Sequence, residues 1–419
     1  MLIGIDAHNL EGKRTGVGRY LLNLLKIWSE MDLRQFYHTT EYDRIVKNGD
    51  GGIKFILYFK DEIPADLRLF PTISPSSTRE GESKRGWFNS DLFECKLLKV
   101  GSTAKFMNWD LGRAAKKDKV DILFCPDYRA PIFYKGNIAV SVHDISYEVY
   151  PEWFNWKSPA DRVLLKWASK QTAKKAKLIF APVEFVKNEI IKYYGVPAER
   201  IVVAPLSVDP DLYNDGKFDS PVYGTAAADE VKKKYGIKDK FIFYVGSIFS
   251  RRHLSEVIAA FEMSAKENDH YQFLIGGKDY TGGQSVNKLV ETTNAKLGRE
   301  AILRVDFIVD DELKLLYSAC AFFIWLSDYE GFGLPPLEAM SLGAPVITTD
   351  GSSLRGVVGE AALLIKDNSD VKEIYRAMHK LTRDNILREE LIFRGKEQAA
   401  KFSWKECAEK TMEALKKIQ

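Results

Sequence analysis

The sequence predicts an α/β protein built as two doubly wound domains facing across a cleft. Short apolar runs alternate with amphipathic stretches along most of the chain, and that rhythm restarts after Gly236. A turn-rich stretch with little apolar periodicity, Asp209–Ala228, separates the two series. Strands alternating with helices pair in parallel and are covered on both faces. A length of 419 residues suits two domains of about 100–200 residues each.

In the first half, Leu2–Ile5, Lys54–Tyr58, Ile122–Phe124, Ile138–Val142, Leu178–Phe180 and Ile201–Val203 read as strands. Helical patterns fill Arg19–Trp28, Ala104–Lys116, Ala160–Lys177 and Glu184–Tyr194. Leu69–Trp87, with Pro71 and a Ser74–Thr78 cluster, reads as a long loop or insertion. Past Gly236, strands are predicted at Phe241–Val245, Gln272–Ile275, Ile302–Val305, Ala321–Trp325 and Val346–Thr348. Helices are predicted at Leu254–Lys266, Gln284–Lys296, Asp311–Ala319 and Pro336–Leu342. Ser403 and Glu406 form a capping box for a last helix. The expected organisation is a first domain over 1–208, a linker over 209–228 and a second domain over 229–400. A terminal helix over 401–419 would pack back on the first domain.

Composition narrows the function. Hydrophobic residues make up 45% and charged residues 28%, the balance of a soluble globular chain. The net charge of +3 disfavours a nucleic-acid partner. Cys95, Cys125, Cys320 and Cys407 form no CxxC pair, and the six histidines show no HExxH spacing, so no metal site is expected. The N-terminus lacks the features of a signal peptide, and Ala319–Leu326 falls far short of the roughly 20 residues that span a bilayer. A cytoplasmic protein is expected, at most peripheral on the inner membrane face.

The densest chemical signal is Tyr329-Glu330-Gly331-Phe332-Gly333-Leu334-Pro335-Pro336-Leu337-Glu338-Ala339-Met340. Pro335 and Pro336 suit the first turn of a helix, where a missing N–H costs nothing. Glu330 then sits in a strand-to-helix loop and Glu338 near the helix start. The amides of Phe332, Gly333 and Leu334 and the positive helix end favour an anion. Carboxylates accept hydrogen bonds from vicinal hydroxyls. Together these groups suit a diphosphate carrying sugars. A lone Glu-Gly would read as a helix-capping turn; the twelve-residue string does not.

This string resembles the signature of retaining glycosyltransferases of the GT-B fold, with two Rossmann-like domains, and in particular glycosyltransferase family 4, the group 1 transferases. The likeness extends over most of the chain. Thr15-Gly16-Val17-Gly18-Arg19-Tyr20 resembles the glycine-rich loop that approaches the donor diphosphate, and Val142-His143-Asp144 resembles a strand end near the transferred sugar. Tyr244-Val245-Gly246-Ser247 with Arg251-Arg252-His253-Leu254 resembles a pattern ending Arg-Lys-Asn-Leu whose cations grip the diphosphate. Val305–Leu313, with Val309 at its centre, resembles the segment whose backbone faces the base. The chain departs at Arg252, where Lys is usual, and at His253, where Asn is usual. It departs again at Val183-Glu184-Phe185-Val186 and at Leu354–Val358.

The resemblance implies transfer of a hexose from a nucleoside-diphosphate sugar to an acceptor hydroxyl, with retention and without a metal or other cofactor. Glu330, His143, Arg251 and Arg252 are the expected catalytic residues. Gly16, Gly18, Ser247, Val309, Phe332, Gly333, Leu334 and Glu338 are the expected donor contacts. GDP-mannose is favoured as donor, with UDP-hexoses next, and the expected acceptor is a glycan or a lipid-linked glycan. The rivals are a glycoside hydrolase or phosphorylase with paired acids, and a non-catalytic nucleotide-sugar-binding subunit. The Gly16-x-Gly18 pair does not make a dinucleotide fingerprint, because Leu21 replaces a third glycine. Residues 153–177 begin with Trp153, Phe154 and Trp156 and continue with seven Lys or Arg. They read as an ordinary helix with a solvated basic side or, alternatively, as a peripheral membrane contact.

Overall fold

The computed structural model describes residues 1–14, 16–31, 52–67, 92–209, 226–238, 240–281 and 286–418. The loop read at Leu69–Trp87, Thr15 of the glycine-rich motif and most of the linker lie outside the described residues. The chain forms two compact units: Met1–Pro205 with Trp404–Gln419, and Leu206–Ser403.

The first unit carries a parallel sheet in the order β3-β2-β1-β4-β5-β6-β7. Its strands are β1 (Leu2–Asp6), β2 (Lys54–Phe59), β3 (Phe93–Leu97), β4 (Ile122–Cys125), β5 (Ile138–Ser141), β6 (Leu178–Ala181) and β7 (Ile201–Val203). β4, β5 and β6 are buried along their full length, as parallel strands covered on both faces should be. The Gly16–Glu30 helix lays Leu21, Leu24, Leu25 and Trp28 into the core, and Trp28 stacks on Phe55 at 5.3 Å. The Trp404–Lys416 helix joins this unit, where the Ala408 carbonyl accepts from Trp28 Nε1 at 3.1 Å. The helix predicted over Ala104–Lys116 is interrupted: a π-helical stretch, Phe106–Asp110, separates Thr103–Lys105 from Leu111–Lys117.

The second unit carries a parallel sheet in the order β10-β9-β8-β11-β12-β13. Its strands are β8 (Lys240–Val245), β9 (Tyr271–Gly276), β10 (Ile302–Val305), β11 (Phe322–Trp325), β12 (Val346–Thr349) and β13 (Leu363–Ile365). Both sheets reverse their winding beside the first strand of the unit, between β1 and β4 and between β8 and β11. Open α/β sheets bind ligands beyond the carboxyl ends of the strands at such points. Residues 226–228, assigned to the linker from sequence, begin the Ala226–Lys234 helix.

Candidate active site

In the second unit, the chain leaves β8 through Gly246 and the exposed Ser247 and makes a 3-10 turn at Ser250–Arg252. Next to it, the chain leaves β11 through Ser327–Glu330. The two exits bring Arg252 and Glu330 together, with a guanidinium nitrogen 3.1 Å from Glu330 Oε1 and both side chains mostly buried. The Arg252 guanidinium also lies 3.9 Å from the Trp325 ring centroid, a cation–π contact strengthened by burial. The ion pair closes in distance but not in hydrogen-bond direction. Among the described residues, Glu330 Oε1, Arg252 Nε, the neighbouring Tyr244 hydroxyl and Trp325 Nε1 find no hydrogen-bond partner. Buried polar atoms are nearly always paired, so this cluster has unspent capacity for a polar ligand.

Arg251 points its guanidinium 4.4 Å over Phe249, and its carbonyl accepts from the Asp328 amide at 3.0 Å. This ties the arginine turn to the loop that carries Glu330. His253 strengthens the tie. It holds φ +49 at the start of the Leu254–Glu267 helix, with Nε2 2.7 Å from Asp328 Oδ1 and Nδ1 3.8 Å from Glu256. Asn368 Nδ2 donates to the same Asp328 oxygen at 2.9 Å, and Asn368 Oδ1 accepts from Thr349 Oγ1 at 2.8 Å. The bond to Asp328 and then the contact with Glu256 raise His253 to a pKa of about 9, so it is an imidazolium at neutral pH.

The loop after Glu330 runs into the Leu334–Ser341 helix, with Pro335 and Pro336 in its first turn. Gly333 sits at φ +107, and a Cβ there would come within 2.6 Å of Leu354 Cδ2, so glycine is required twice over. Phe332 contributes backbone only: its ring is buried against Phe402, and its carbonyl accepts from Ser353 Oγ at 2.8 Å. Leu334 begins the helix, and Glu338 Oε2 accepts from the Tyr317 hydroxyl at 3.2 Å. Val309 stands apart, beyond β10 at the sheet edge. It is exposed, and its carbonyl accepts the Glu312 and Leu313 amides of the next helix.

The first unit holds Gly16, Gly18 and His143. Gly18 is fixed by packing, because a Cβ would lie 2.3 Å from the Asn9 carbonyl oxygen; nothing lies within 4 Å of a Cβ built at Gly16. His143 follows β5 with Nε2 3.0 Å from the Pro126 carbonyl. A carbonyl only accepts, so this bond assigns the proton to Nε2 and leaves Nδ1 basic. Burial lowers the His143 pKa, so the ring is neutral at pH 7. Its ring meets Tyr20 edge-on at 4.7 Å, and the Tyr20 hydroxyl bonds Ser141 Oγ at 2.9 Å.

Sequence reasoning did not single out Asp6, which ends β1, or His8, Asp127 and Arg129, which follow β1 and β4 where the first sheet reverses. Asp6 is fully buried, and its Oδ1 lies 2.6 Å from His8 Nδ1. Burial opposes charge on His8, but the Asp6 carboxylate outweighs it and raises the pKa. Arg129 donates twice to Asp127 Oδ2, at 2.9 and 3.0 Å. The signal available was position alone: Asp6 directly follows a predicted strand and the other three lie three to five residues past a predicted strand end, with no spacing motif.

In the second unit, two arginines and two glutamates stand past the central strands of a reversed-order parallel sheet, offering cations to an anion and carboxylate acceptors to hydroxyls. Residues 227–398 match Glycosyl transferases group 1, and residues 74–212 match Glycosyltransferase Family 4. The O-antigen chain mannosyltransferase B of Escherichia coli is 32% identical over 299 residues, covering 69% of this chain and 74% of that one. The serotype-specific mannosyltransferase WbdA of Escherichia coli is 30% identical over 246 residues; the match covers 58% of this chain but only 29% of WbdA. Among solved structures, Anabaena Alr3699/HepE in complex with UDP and glucose superposes with a TM-score of 0.67 at 15% identity, covering 99% of each chain. WaaG, a glycosyltransferase involved in lipopolysaccharide biosynthesis, superposes with a TM-score of 0.63 at 16% identity, covering 98% of each chain. The chain belongs to glycosyltransferase family 4 and has the GT-B fold.

Proposed function

We propose that this glycosyltransferase moves mannose from GDP-mannose to a hydroxyl of a glycan or lipid-linked glycan, with retention and without a metal. The observation that carries the reading is the Arg252–Glu330 pair at the β8–β11 reversal, flanked by Arg251 and the Phe332–Leu334 amides. Departure of the diphosphate leaves charge on its oxygens, which fixed guanidinium groups and amides stabilise. That is the work a divalent cation would otherwise do. Glu338, held by Tyr317, takes the ribose hydroxyls, and Glu330 takes hydroxyls of the hexose. The bond from C1 to the phosphate oxygen breaks as the acceptor oxygen attacks C1 from the same face, and the hydroxyl proton passes to the departing phosphate. His143, neutral with a basic Nδ1, accepts a hydrogen bond near the incoming hydroxyl. The mannosyltransferase relatives support the donor sugar. Among the described residues no helix is long and apolar enough to cross a membrane. On this reading the enzyme works in the cytoplasm, in peripheral contact with the membrane that carries a lipid-linked acceptor.

The test is incubation of the protein with GDP-mannose and polyprenyl-diphosphate-linked oligosaccharide acceptors, with the product's anomeric coupling read by NMR. The expected product is an α-mannoside, formed together with free GDP. A β-mannoside would overturn retention, and transfer only from UDP-sugars would overturn the donor.

A further inference from the structure

All five large apolar side chains that stand exposed among the described residues of the first unit gather on one surface. Trp109, Phe133, Val163, Leu164 and Trp167 are each between 48% and 67% exposed. Trp167 lies three residues after Leu164 and four after Val163, so the three share a face of the Pro159–Lys175 helix. Trp109 projects from the π-helical stretch and stacks on Phe133 at 4.7 Å. The loop 130–134 joins the two groups. Pro131 and Ile132 share a cavity of about 160 Å³ with Trp167, and Lys175 Nζ donates to the Ile132 carbonyl. On the other side of the loop, a Cβ built at Gly112 would lie 3.3 Å from Pro131 Cβ.

The aromatics that suggest a surface in the sequence are not the exposed ones. Trp153 stacks on Tyr150 at 4.0 Å, Trp156 Nε1 donates to the Pro151 carbonyl at 2.6 Å, and both are only partly exposed. The charge, however, follows the exposed patch. Residues 157–177 hold seven cations against Asp161 alone, a net +6, while the whole chain carries only +3, so everything else sums to −3. Lys157, Arg162, Lys174 and Lys177 are exposed, Arg162 adjoining Val163 and Lys174 two turns past Trp167 on the same helix, and Arg113 lies 5.9 Å over Trp109.

We infer that this face of the first unit docks on an anionic lipid bilayer, with Trp109, Phe133, Val163, Leu164 and Trp167 entering the headgroup boundary and the surrounding lysines and arginines meeting lipid phosphates. Long cationic side chains can extend their charged ends to phosphates while their stems cover apolar surface. A soluble polyanion would use the cations but gain nothing from Val163 and Leu164. A second copy would set like charges against one another. The inference depends on the proposed function only for its purpose, bringing the enzyme to a lipid-linked acceptor.

The test is vesicle flotation of the full chain without nucleotide, so that its outcome is independent of donor binding. Vesicles are phosphatidylcholine alone or phosphatidylcholine mixed with phosphatidylglycerol. Partition to the anionic vesicles is expected to be at least about tenfold stronger. It should fall at about 1 M salt, where the Debye length shrinks to about 3 Å. Val163→Ser/Leu164→Ser/Trp167→Ser and, separately, Trp109→Ser/Phe133→Ser should each weaken it at least about tenfold at unchanged circular dichroism and unchanged turnover with a water-soluble acceptor. Absence of binding, binding indifferent to lipid charge, or binding unmoved by both variants would overturn the inference. So would loss of a dimer as the only effect of the variants.

Discussion

Arg252 and Glu330, 78 positions apart in the sequence, form a mostly buried ion pair at 3.1 Å where the second sheet reverses its winding. Each comes from the exit of a different strand, and each keeps one buried polar atom without a hydrogen-bond partner among the described residues. Removing either member of such a pair strands the other in a low-dielectric setting.

Glu330→Ala is therefore expected to lower both turnover and stability, by roughly 100-fold and about 3 kcal/mol. Glu330→Gln keeps the shape and should lose most of the turnover with a smaller fall in melting temperature. Arg251→Ala, whose guanidinium lies over Phe249, should also cut turnover by roughly 100-fold or more. Steady-state kinetics beside thermal melts would decide this, and normal rates for both alanine variants would refute the assignment.

Glu338 and Tyr317 are expected to act on donor affinity. Glu338→Gln should raise the donor KM about tenfold or more, as loss of a charge-assisted bond implies. Tyr317→Phe removes one hydroxyl at 3.2 Å and should raise it only a few-fold. A fall in kcat at unchanged KM for Glu338→Gln would contradict the ribose role.

Gly16 and Gly18 should respond oppositely to alanine. Gly18→Ala drives a methyl into the Asn9 carbonyl and should cost about 1–3 kcal/mol. Gly16→Ala meets no atom and should be neutral or stabilise by up to about 1 kcal/mol. Denaturant titrations of the two variants give the comparison directly.

His253 should make stability depend on alkaline pH. Its pKa is raised from 6.5 to about 9 by Asp328 and Glu256, so its contribution is complete below about 6.5 and is lost as pH rises through about 9. Two and a half pKa units correspond to at most about 3 kcal/mol. Glu256, lowered to about 2 first by its bond with His253, loses its contribution only as pH falls below 4.5 toward 2. Melting temperatures across this range should drop above pH 8 in the natural chain and stay flatter there in His253→Gln. Parallel curves for the two proteins would reject the clamp.

Much of this was legible in the sequence because periodicity reports burial. β7, β10 and the Glu184–Tyr194 helix follow their predicted bounds. The two missed strands, β3 and β13, lie at sheet edges, and β3 interleaves Glu94 and Lys96 with its apolar residues. β3 therefore lacks the continuous apolar run of a central strand, while β13 is apolar throughout but only three residues long. The string around Glu330 announced its loop and helix because prolines and a positive-φ glycine leave few alternatives. The Asp328–His253–Asn368 clamp and the Asp6–His8 contact were invisible. The members of the clamp are brought together by strand order, which no local spacing encodes, whereas Asp6 and His8 are only two residues apart but form no recognisable spacing motif.

The claim that the second unit holds a nucleoside-diphosphate sugar is tested most directly by a thermal-shift panel of GDP, UDP and ADP with their hexose conjugates. A ligand at about 100 times its dissociation constant should stabilise the protein by about 2.7 kcal/mol. GDP and GDP-mannose are predicted to give the largest shifts, abolished in Arg251→Ala. A flat response to every compound in the panel would contradict the account.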